Sequence, residues 1–358
     1  MEKKKYYILI NALWGGGAER AATNLANQMN KSWYEVFLIT ILNKLFYKYD
    51  EGVRYMPLTG FTKGYMLMFG FPYYYWKFKQ ILRKYNLKEG MSFLQASNFL
   101  NLLTVKNATI SYRVHVTLLK FPHNLYSERI LGRLQIIGIF LFYRFAKKII
   151  VSSQENKNDL SDYFYIDKNK IEVLYNKIDK MRIEKLRYET VEEDLDISPG
   201  MKVFITVSKV EKEKWHIKII EALGKVYQSL DKNRKYIIVW GGSEIPYLQK
   251  LCEKYEINEH VIFVGEQKNV FKYLNLADIF LYSSYTESIP NVLLEAKGMQ
   301  IPIITTNFKV GAQEVVIGDY QKDRILDYPL KGEYGYLVDP DNFTDNFIQI
   351  DNSYVLKK

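Results

Sequence analysis

Apolar positions along the chain follow two alternating periods. Tyr6 to Ile10 is a continuous apolar run and predicts a buried strand. Ala18, Ala21, Ala22, Leu25, Ala26 and Met29 then recur at helical spacing, and a second strand is expected from Val36 to Ile41. Further β-branched runs lie at Thr109 to Tyr112, Ile149 to Ser152 and Ile171 to Tyr175, with helical patterns between most of them. The second half repeats the logic, with strands expected at Val203 to Val207, Tyr236 to Val239, Val261 to Val264, Ile279 to Tyr282 and Ile301 to Thr305. Helices are expected to start at Ile217 and Ile245. Such alternation predicts the α/β class, with two Rossmann-like, doubly wound parallel sheets. Between Asp179 and Gly200 the sequence is charged and has no strand signal, so the expected division is a domain over 1–178, a linker over 179–200 and a second domain over 201–358. No repeat of 20 to 50 residues stands out, which argues against a solenoid.

Composition narrows the class. With 358 residues and 48% hydrophobic content the chain can bury two cores. A net charge of +10 suits nucleic acid, an anionic membrane face or phosphorylated substrates without choosing among them. The basic residues are scattered among acids and no recognised binding module is present, which argues against nucleic acid. Cys252 is the sole cysteine, so no internal disulfide forms, and a reducing, cytoplasmic compartment fits best. No cysteine or histidine cluster at metal-ligand spacing is visible, and no cofactor is implied. The start, MEKKKYYILINALW, lacks a small-residue cleavage pattern and reads as a first strand. No apolar window approaches the roughly 18 residues needed to span a bilayer.

Three segments carry candidate chemistry. Gly15, Gly16 and Gly17 sit at a strand-to-helix turn, where absent side chains allow close backbone approach and helix amides can meet an anion. A dinucleotide fingerprint fits poorly, since Arg20 stands where its third glycine belongs; a plain tight turn remains open. In VSKVEKEKWH, Lys209 and Lys214 lie just past a strand end and suit a diphosphate, although such a charge run also reads as a solvated helix start. In SSYTESIPNVLLEAKG, Glu287 falls in a loop and Glu295 on the helix that follows, with Pro290 expected in its first turn and two helical turns between the carboxylates. Carboxylates accept hydrogen bonds from sugar hydroxyls, and the Ser288 and Ile289 amides can meet phosphate oxygens. A solvent-facing glutamate pair is the plainer alternative.

In this order and spacing, GGGAER, SKVEKEK and Glu287-x7-Glu295 with Pro302 beyond resemble the GT-B retaining glycosyltransferases of glycosyltransferase family 4, over about residues 6 to 340. GGGAERAATNLA, VLYNKID and ESIPNVLLEA resemble most the bacterial enzymes that extend lipid-linked or surface glycans. The resemblance implies two Rossmann-like domains facing a cleft, and metal-independent transfer of a hexose or N-acetylhexosamine from a nucleotide-sugar, UDP-linked in the nearest relatives, to a glycan. It implies that Glu287 contacts donor sugar hydroxyls, Glu295 the nucleotide ribose, and Lys209 with Lys214 the diphosphate, which Gly16 and Gly17 also face. Arg113 and His115 in SYRVH, and His123 in FPHN, fall where the family often places Arg or His near the transferred sugar; His115 is preferred for the catalytic role, though each suits a structural role equally.

Two positions depart from the family, which usually has Arg in place of Lys209 and Gly in place of Ser288; lysine lacks the bidentate fork of arginine. Only about 18 residues follow Pro340, where the family usually continues with helices that cross back to the first domain, so a truncated chain or altered docking is expected. These departures motivate a rival reading, a catalytically inactive partner subunit, against which the intact glutamate pair stands. The stretch YMLMFGFPYYYWKFKQILRKYNLK sets Tyr74, Phe78, Ile81, Leu82 and Tyr85 on one helical face, suited either to an anionic membrane interface or to packing on the sheet. A lipid-linked acceptor at the inner membrane face would account for the basic, aromatic-rich composition.

Overall fold

The computed structural model describes residues 3–14, 17–63, 70–106, 108–112, 136–176, 178–229, 233–285, 287, 289–308, 311–321 and 326–352. The chain divides into two units, Met1–Asn176 and Lys177–Lys358.

In the first unit the order is β1 (Lys4–Ile10), α1 (Gly17–Asn30), β2 (Tyr34–Thr40), β3 (Arg54–Pro57), α2 (Phe71–Tyr85), β4 (Gly90–Phe93) and α3 (Gln95–Thr104). It continues with β5 (Thr109–Tyr112), α4 (136–142), β6 (Lys148–Val151), α5 (Gln154–Phe164) and β7 (Ile171–Val173). The sheet runs β3-β2-β1-β4-β5-β6-β7, parallel throughout. Both faces are covered, which is why β1 and β2 read as unbroken apolar runs. Tyr7, Leu9, Phe37 and Ile39 meet α2 and α3, while Ile8, Ile10, Val36 and Leu38 meet α1.

Helix α2 is where the structure chooses between the two readings of its apolar face. Tyr74, Phe78, Ile81 and Leu82 are buried in the core with Tyr7 and Phe37, so these side chains are not available to a membrane. Each such burial stabilises by about 1.5–3 kcal/mol, more than a loose interfacial contact would return. Left-handed Asn86 (φ 52°) ends the helix, and the Leu87 amide donates to the Leu82 carbonyl at 2.9 Å, a Schellman closure.

The second unit begins with α6 (Lys180–Leu186), inside the stretch 179–200 expected as a linker. Asp179 caps it through the Arg182 amide at 2.9 Å, and Ile183 and Leu195 enter this unit's core. Then follow β8 (Lys202–Val207), α7 (His216–Ser229), β9 (Arg234–Val239), α8 (Ile245–Lys254), β10 (Val261–Gly265), α9 (Phe271–Leu274) and β11 (Ile279–Tyr282). The unit closes with α10 (Asn291–Gly298), β12 (Ile303–Thr306), α11 (Ala312–Val316), β13 (Leu330–Gly332), β14 (Gly335–Val338) and α12 (Phe343–Asn352). The strand order is β10-β9-β8-β11-β12-β14-β13, with only β13 antiparallel. On α12, Phe343, Phe347 and Ile350 join a core containing Phe204, and buried Asp351 pairs with Arg234. The two expected doubly wound α/β sheets are both present.

Candidate functional site

Strands β8 and β11 are parallel neighbours, so their carboxyl-end loops emerge at the same edge of the sheet, where open α/β sheets bind ligands. The loop after β8 carries Lys209 and a short 3₁₀ turn, Lys212–Lys214; the loop after β11 carries Glu287. Hydroxyls and amides fasten the two loops together. Ser283 Oγ lies 3.0 Å from the Lys214 carbonyl and 2.9 Å from that of Trp215, and the Tyr285 amide donates to the Glu213 carbonyl at 3.2 Å. Thr306 Oγ1, at the end of β12, donates to the Ser284 carbonyl at 2.6 Å.

This framework places Lys214 Nζ in an ion pair with Glu287 Oε1. The same oxygen accepts from the Tyr282 hydroxyl at 2.7 Å and from Ser284 Oγ at 3.1 Å. Three donors thus converge on Oε1, and Oε2 has no partner among the described residues. The pair is mostly but not wholly enclosed, with side-chain exposures of 20% for Lys214 and 13% for Glu287. Burial, reinforced by the Glu287 charge, pushes the Tyr282 hydroxyl well above the usual tyrosine range, so it stays a neutral donor.

Beside the pair, Trp215 adopts a left-handed backbone (φ 50°) and its ring lies 4.6 Å from that of Tyr285. A bulky residue in that region is strained and marks a constrained loop. Buried His216 follows, with Nε2 2.9 Å from Ser208 Oγ and 3.3 Å from the Lys209 carbonyl. Burial lowers its pKa to about 4, so the ring is neutral near pH 7 and its Nε2 hydrogen can serve the carbonyl while Nδ1 remains a bare acceptor.

The sequence candidates separate accordingly. Lys214 and Glu287 come together across 73 residues of chain. Lys209 is exposed and its side chain has no ion pair among the described residues. Glu295 is buried on α10, which begins at Asn291 with Pro290 as N-cap and not in the first turn. Only the stretch from Asn291 is helical, so the two carboxylates are not two helical turns apart as the sequence suggested. The Ile289 side chain is buried in the core, leaving its backbone amide as the group a ligand can meet. Gly17 is the first, exposed residue of α1. Gly16, Arg113, His115, His123 and Ser288 lie outside the described residues. Sequence reasoning passed over Tyr282, Ser284, Trp215 and His216; for the first two, the hydroxyl-rich run YSSYT directly before the glutamate was the available signal. Among the described residues no three His, Cys, Asp or Glu side chains form a metal-binding group, and no helix is long and apolar enough to cross a membrane.

Two doubly wound sheets of this kind, one with a cation and a carboxylate at its strand-end loops, fit the GT-B fold class. Residues 15–182 match the Glycosyltransferase Family 4 model and residues 188–343 the Glycosyl transferases group 1 model; together these two models span most of the chain, which is a glycosyltransferase. It is 27% identical over 349 residues to the Campylobacter jejuni N-acetylgalactosamine-N,N'-diacetylbacillosaminyl-diphospho-undecaprenol 4-alpha-N-acetylgalactosaminyltransferase, covering 96% of this chain and 88% of that protein. A glycosyltransferase of Methanocaldococcus jannaschii is 31% identical over 228 residues, 63% of this chain and 55% of that one. Among solved structures, Anabaena HepE with UDP-glucose superposes with a TM-score of 0.68 at 16% identity, covering 99% of this chain and 91% of that one. Sucrose-phosphate synthase of Thermosynechococcus elongatus reaches 0.75 at 15% identity, with 99% and 91% coverage.

Proposed function

We propose that the chain transfers a hexose or N-acetylhexosamine from a UDP-linked donor to a lipid-linked or surface-polysaccharide glycan, with retained anomeric configuration and without a metal ion, at the cytoplasmic face of a membrane. The observation that carries this reading is the Lys214–Glu287 arrangement. A cation and a carboxylate with one oxygen unpartnered lie side by side, which suits a ligand whose anionic phosphate is bonded directly to a hydroxyl-bearing sugar. Lys214, helped by Lys209 and the backbone amides of Ser288 and Ile289, neutralises the leaving diphosphate, electrostatic help of several kcal/mol. Glu287 Oε2 accepts from donor sugar hydroxyls, Glu295 serves the ribose, and Gly16, Gly17, Arg113 and His115 are the first unit's contributors. In the reaction the bond from the anomeric carbon to the phosphate oxygen breaks. The acceptor oxygen bonds to that carbon from the same face, and its proton passes to the departing phosphate. The printed name of the Campylobacter relative describes transfer to a diphospho-undecaprenol glycan, and HepE binds UDP-glucose, which favours this donor and acceptor class.

The test is transfer from UDP-, GDP- and ADP-sugars to an undecaprenyl-diphosphate-linked glycan in excess EDTA, with the product linkage read by NMR. Turnover of a UDP-sugar with a retained anomer is expected. Exclusive use of GDP- or ADP-sugars, an inverted product, or activity abolished by EDTA and restored by a divalent ion would overturn the corresponding part.

A further inference from the structure

Lys214 and Glu287 lie on two loops of the second unit, separated by 73 residues of chain, so whatever holds those loops together sets the spacing of the two groups. Three kinds of tie join the loops. Ser283 Oγ meets the Lys214 and Trp215 carbonyls, and the Tyr285 amide donates to the Glu213 carbonyl. The ion pair joins the two side chains themselves. The third tie is apolar, the contact of the partly buried Trp215 and Tyr285 rings, with centroids 4.6 Å apart and planes at 42°. It sits beside both working groups, one residue after Lys214 and two before Glu287. On its other flank the loop after β8 is held by Ser243 Oγ, which donates to Glu211 Oε2 at 2.5 Å, so the rings secure the side that faces Glu287.

The backbone at Trp215 does not call for a tryptophan. At φ 50° and ψ 34° it lies in the left-handed region, and main-chain groups close the turn. The Trp215 amide donates to the Lys212 carbonyl at 3.2 Å, and its carbonyl accepts from Ser283 and from the Lys218 amide at 2.9 Å. Glycine would complete the same turn without strain. A strained residue held in place at a ligand site points to a task for its side chain.

The ties also differ in what a ligand does to them. A diphosphate competes with Glu287 for the Lys214 ammonium, so the ion pair weakens when the site is occupied. The ring contact offers no charge to a phosphate, and burial, then the Asp341 charge, pushes the Tyr285 hydroxyl up and keeps it neutral.

We propose that Trp215 is a positioning residue, whose ring clasps Tyr285 so that Lys214 and Glu287 keep their spacing when a diphosphate takes up the ammonium. The inference rests on the donor site proposed above. Without ligand the ion pair and the clasp do the same work; in the occupied site the clasp carries it.

The experiment compares wild type with Trp215→Gly and Trp215→Phe in initial-rate transfer, with UDP-glucose, UDP-N-acetylglucosamine and UDP-N-acetylgalactosamine each varied and melting temperatures measured on the same samples. Trp215→Gly exchanges the ring contact for a relaxed backbone and should melt within a few degrees of wild type. Its kcat should nevertheless fall at least about tenfold with the donor KM within about threefold, and Trp215→Phe should recover most of the loss. Unchanged kcat in Trp215→Gly, a loss confined to KM, or no recovery in Trp215→Phe would overturn the proposal. Hydrogen exchange over peptides containing Tyr285 reads the clasp without turnover. Exchange should stay slow in Trp215→Gly and in Glu287→Gln, each of which keeps one tie, and be at least about tenfold faster when the two are combined. A double variant as protected as the singles would also overturn it. Absence of transfer in wild type counts against the proposed activity, while exchange still decides the clasp.

Discussion

Replacing Glu287 by glutamine tests the site at its centre while keeping its shape. In Glu287→Gln the amide oxygen can still accept from Tyr282 and Ser284, but the charge opposite Lys214 is gone and an amide N–H₂ stands where an acceptor would meet the donor sugar. Two readouts follow with different magnitudes. Hydrogen bonds to a charged group contribute about 1.5–3 kcal/mol, so kcat/KM should fall between about tenfold and 150-fold if the sugar hydroxyls are bound by this carboxylate. The Lys214–Glu287 pair is neither fully exposed nor fully buried, so its loss costs about 1–2 kcal/mol of stability, between the surface and interior cases. For a unit of this size that is a fall in melting temperature of a few degrees. Tyr282→Phe provides the contrast, since it removes one of three donors to Oε1 and leaves the charge, and it should cost one hydrogen bond to a charged group, about 1.5–3 kcal/mol of stability. Initial rates at varied donor concentration, with calorimetry on the same samples, give both quantities. Unchanged kcat/KM in Glu287→Gln, on a protein that has lost the expected stability, would refute the assignment and leave the glutamate as a structural partner of Lys214.

Other expectations are smaller in scope. His216, with its pKa lowered to about 4 from 6.5, binds fewer protons folded than unfolded between those values, so its contribution is full above pH 6.5 and is lost as pH falls toward 4. That is about 3 kcal/mol, and His216→Gln should flatten the acid limb of a pH–stability curve measured by urea unfolding. At Trp215, alanine loses the ring contact with Tyr285 but keeps the left-handed backbone, whereas glycine loses the ring and relaxes the backbone. Trp215→Gly should therefore be about 1 kcal/mol more stable than Trp215→Ala by thermal unfolding, and equal stabilities would refute the strain argument. Gly311→Ala should cost more than about 2 kcal/mol, because its φ of 98° is unfavourable for alanine and the added carbon would fall 2.2 Å from Ile289 Cγ1, disturbing the loop behind Glu287. A melting temperature within a degree of wild type would count against that packing.

The strands that could be read from sequence are those whose two faces are both covered by apolar neighbours, such as β1, β2, β8 and β11. Strand β4 escaped because it is four residues long and centred on Ser92, whose hydroxyl is buried in a polar network with Asn98 at 2.8 Å and Asn101 at 3.0 Å. An apolar-run criterion has nothing to count there. The hairpin of β13 and β14 escaped for a related reason, being short and flanked by Gly332 and Gly335. In the site, Lys214 and Glu287 were legible as motifs, but their contact depends on β8 lying next to β11, a sheet adjacency that no local pattern encodes. Tyr282 was read as the apolar end of a strand, which its ring is; the polar tip that holds Glu287 shows only once the loop is placed.

That tip separates two tasks within the site. Lys214 and Glu287 neutralise one another in the absence of ligand, yet a diphosphate would draw on the same ammonium. A carboxylate anchored by Lys214 alone would then be released at the moment the sugar needs it fixed. Tyr282 and Ser284 prevent this, because they bind the same oxygen and carry no charge for a phosphate to attract. Deep burial keeps Tyr282 neutral across the working pH range, and Thr306 on the next strand fixes the Ser284 backbone. In the proposed reaction, lysine is thereby free to follow the anion while the carboxylate stays aimed, the preorganisation that stabilising a developing charge requires.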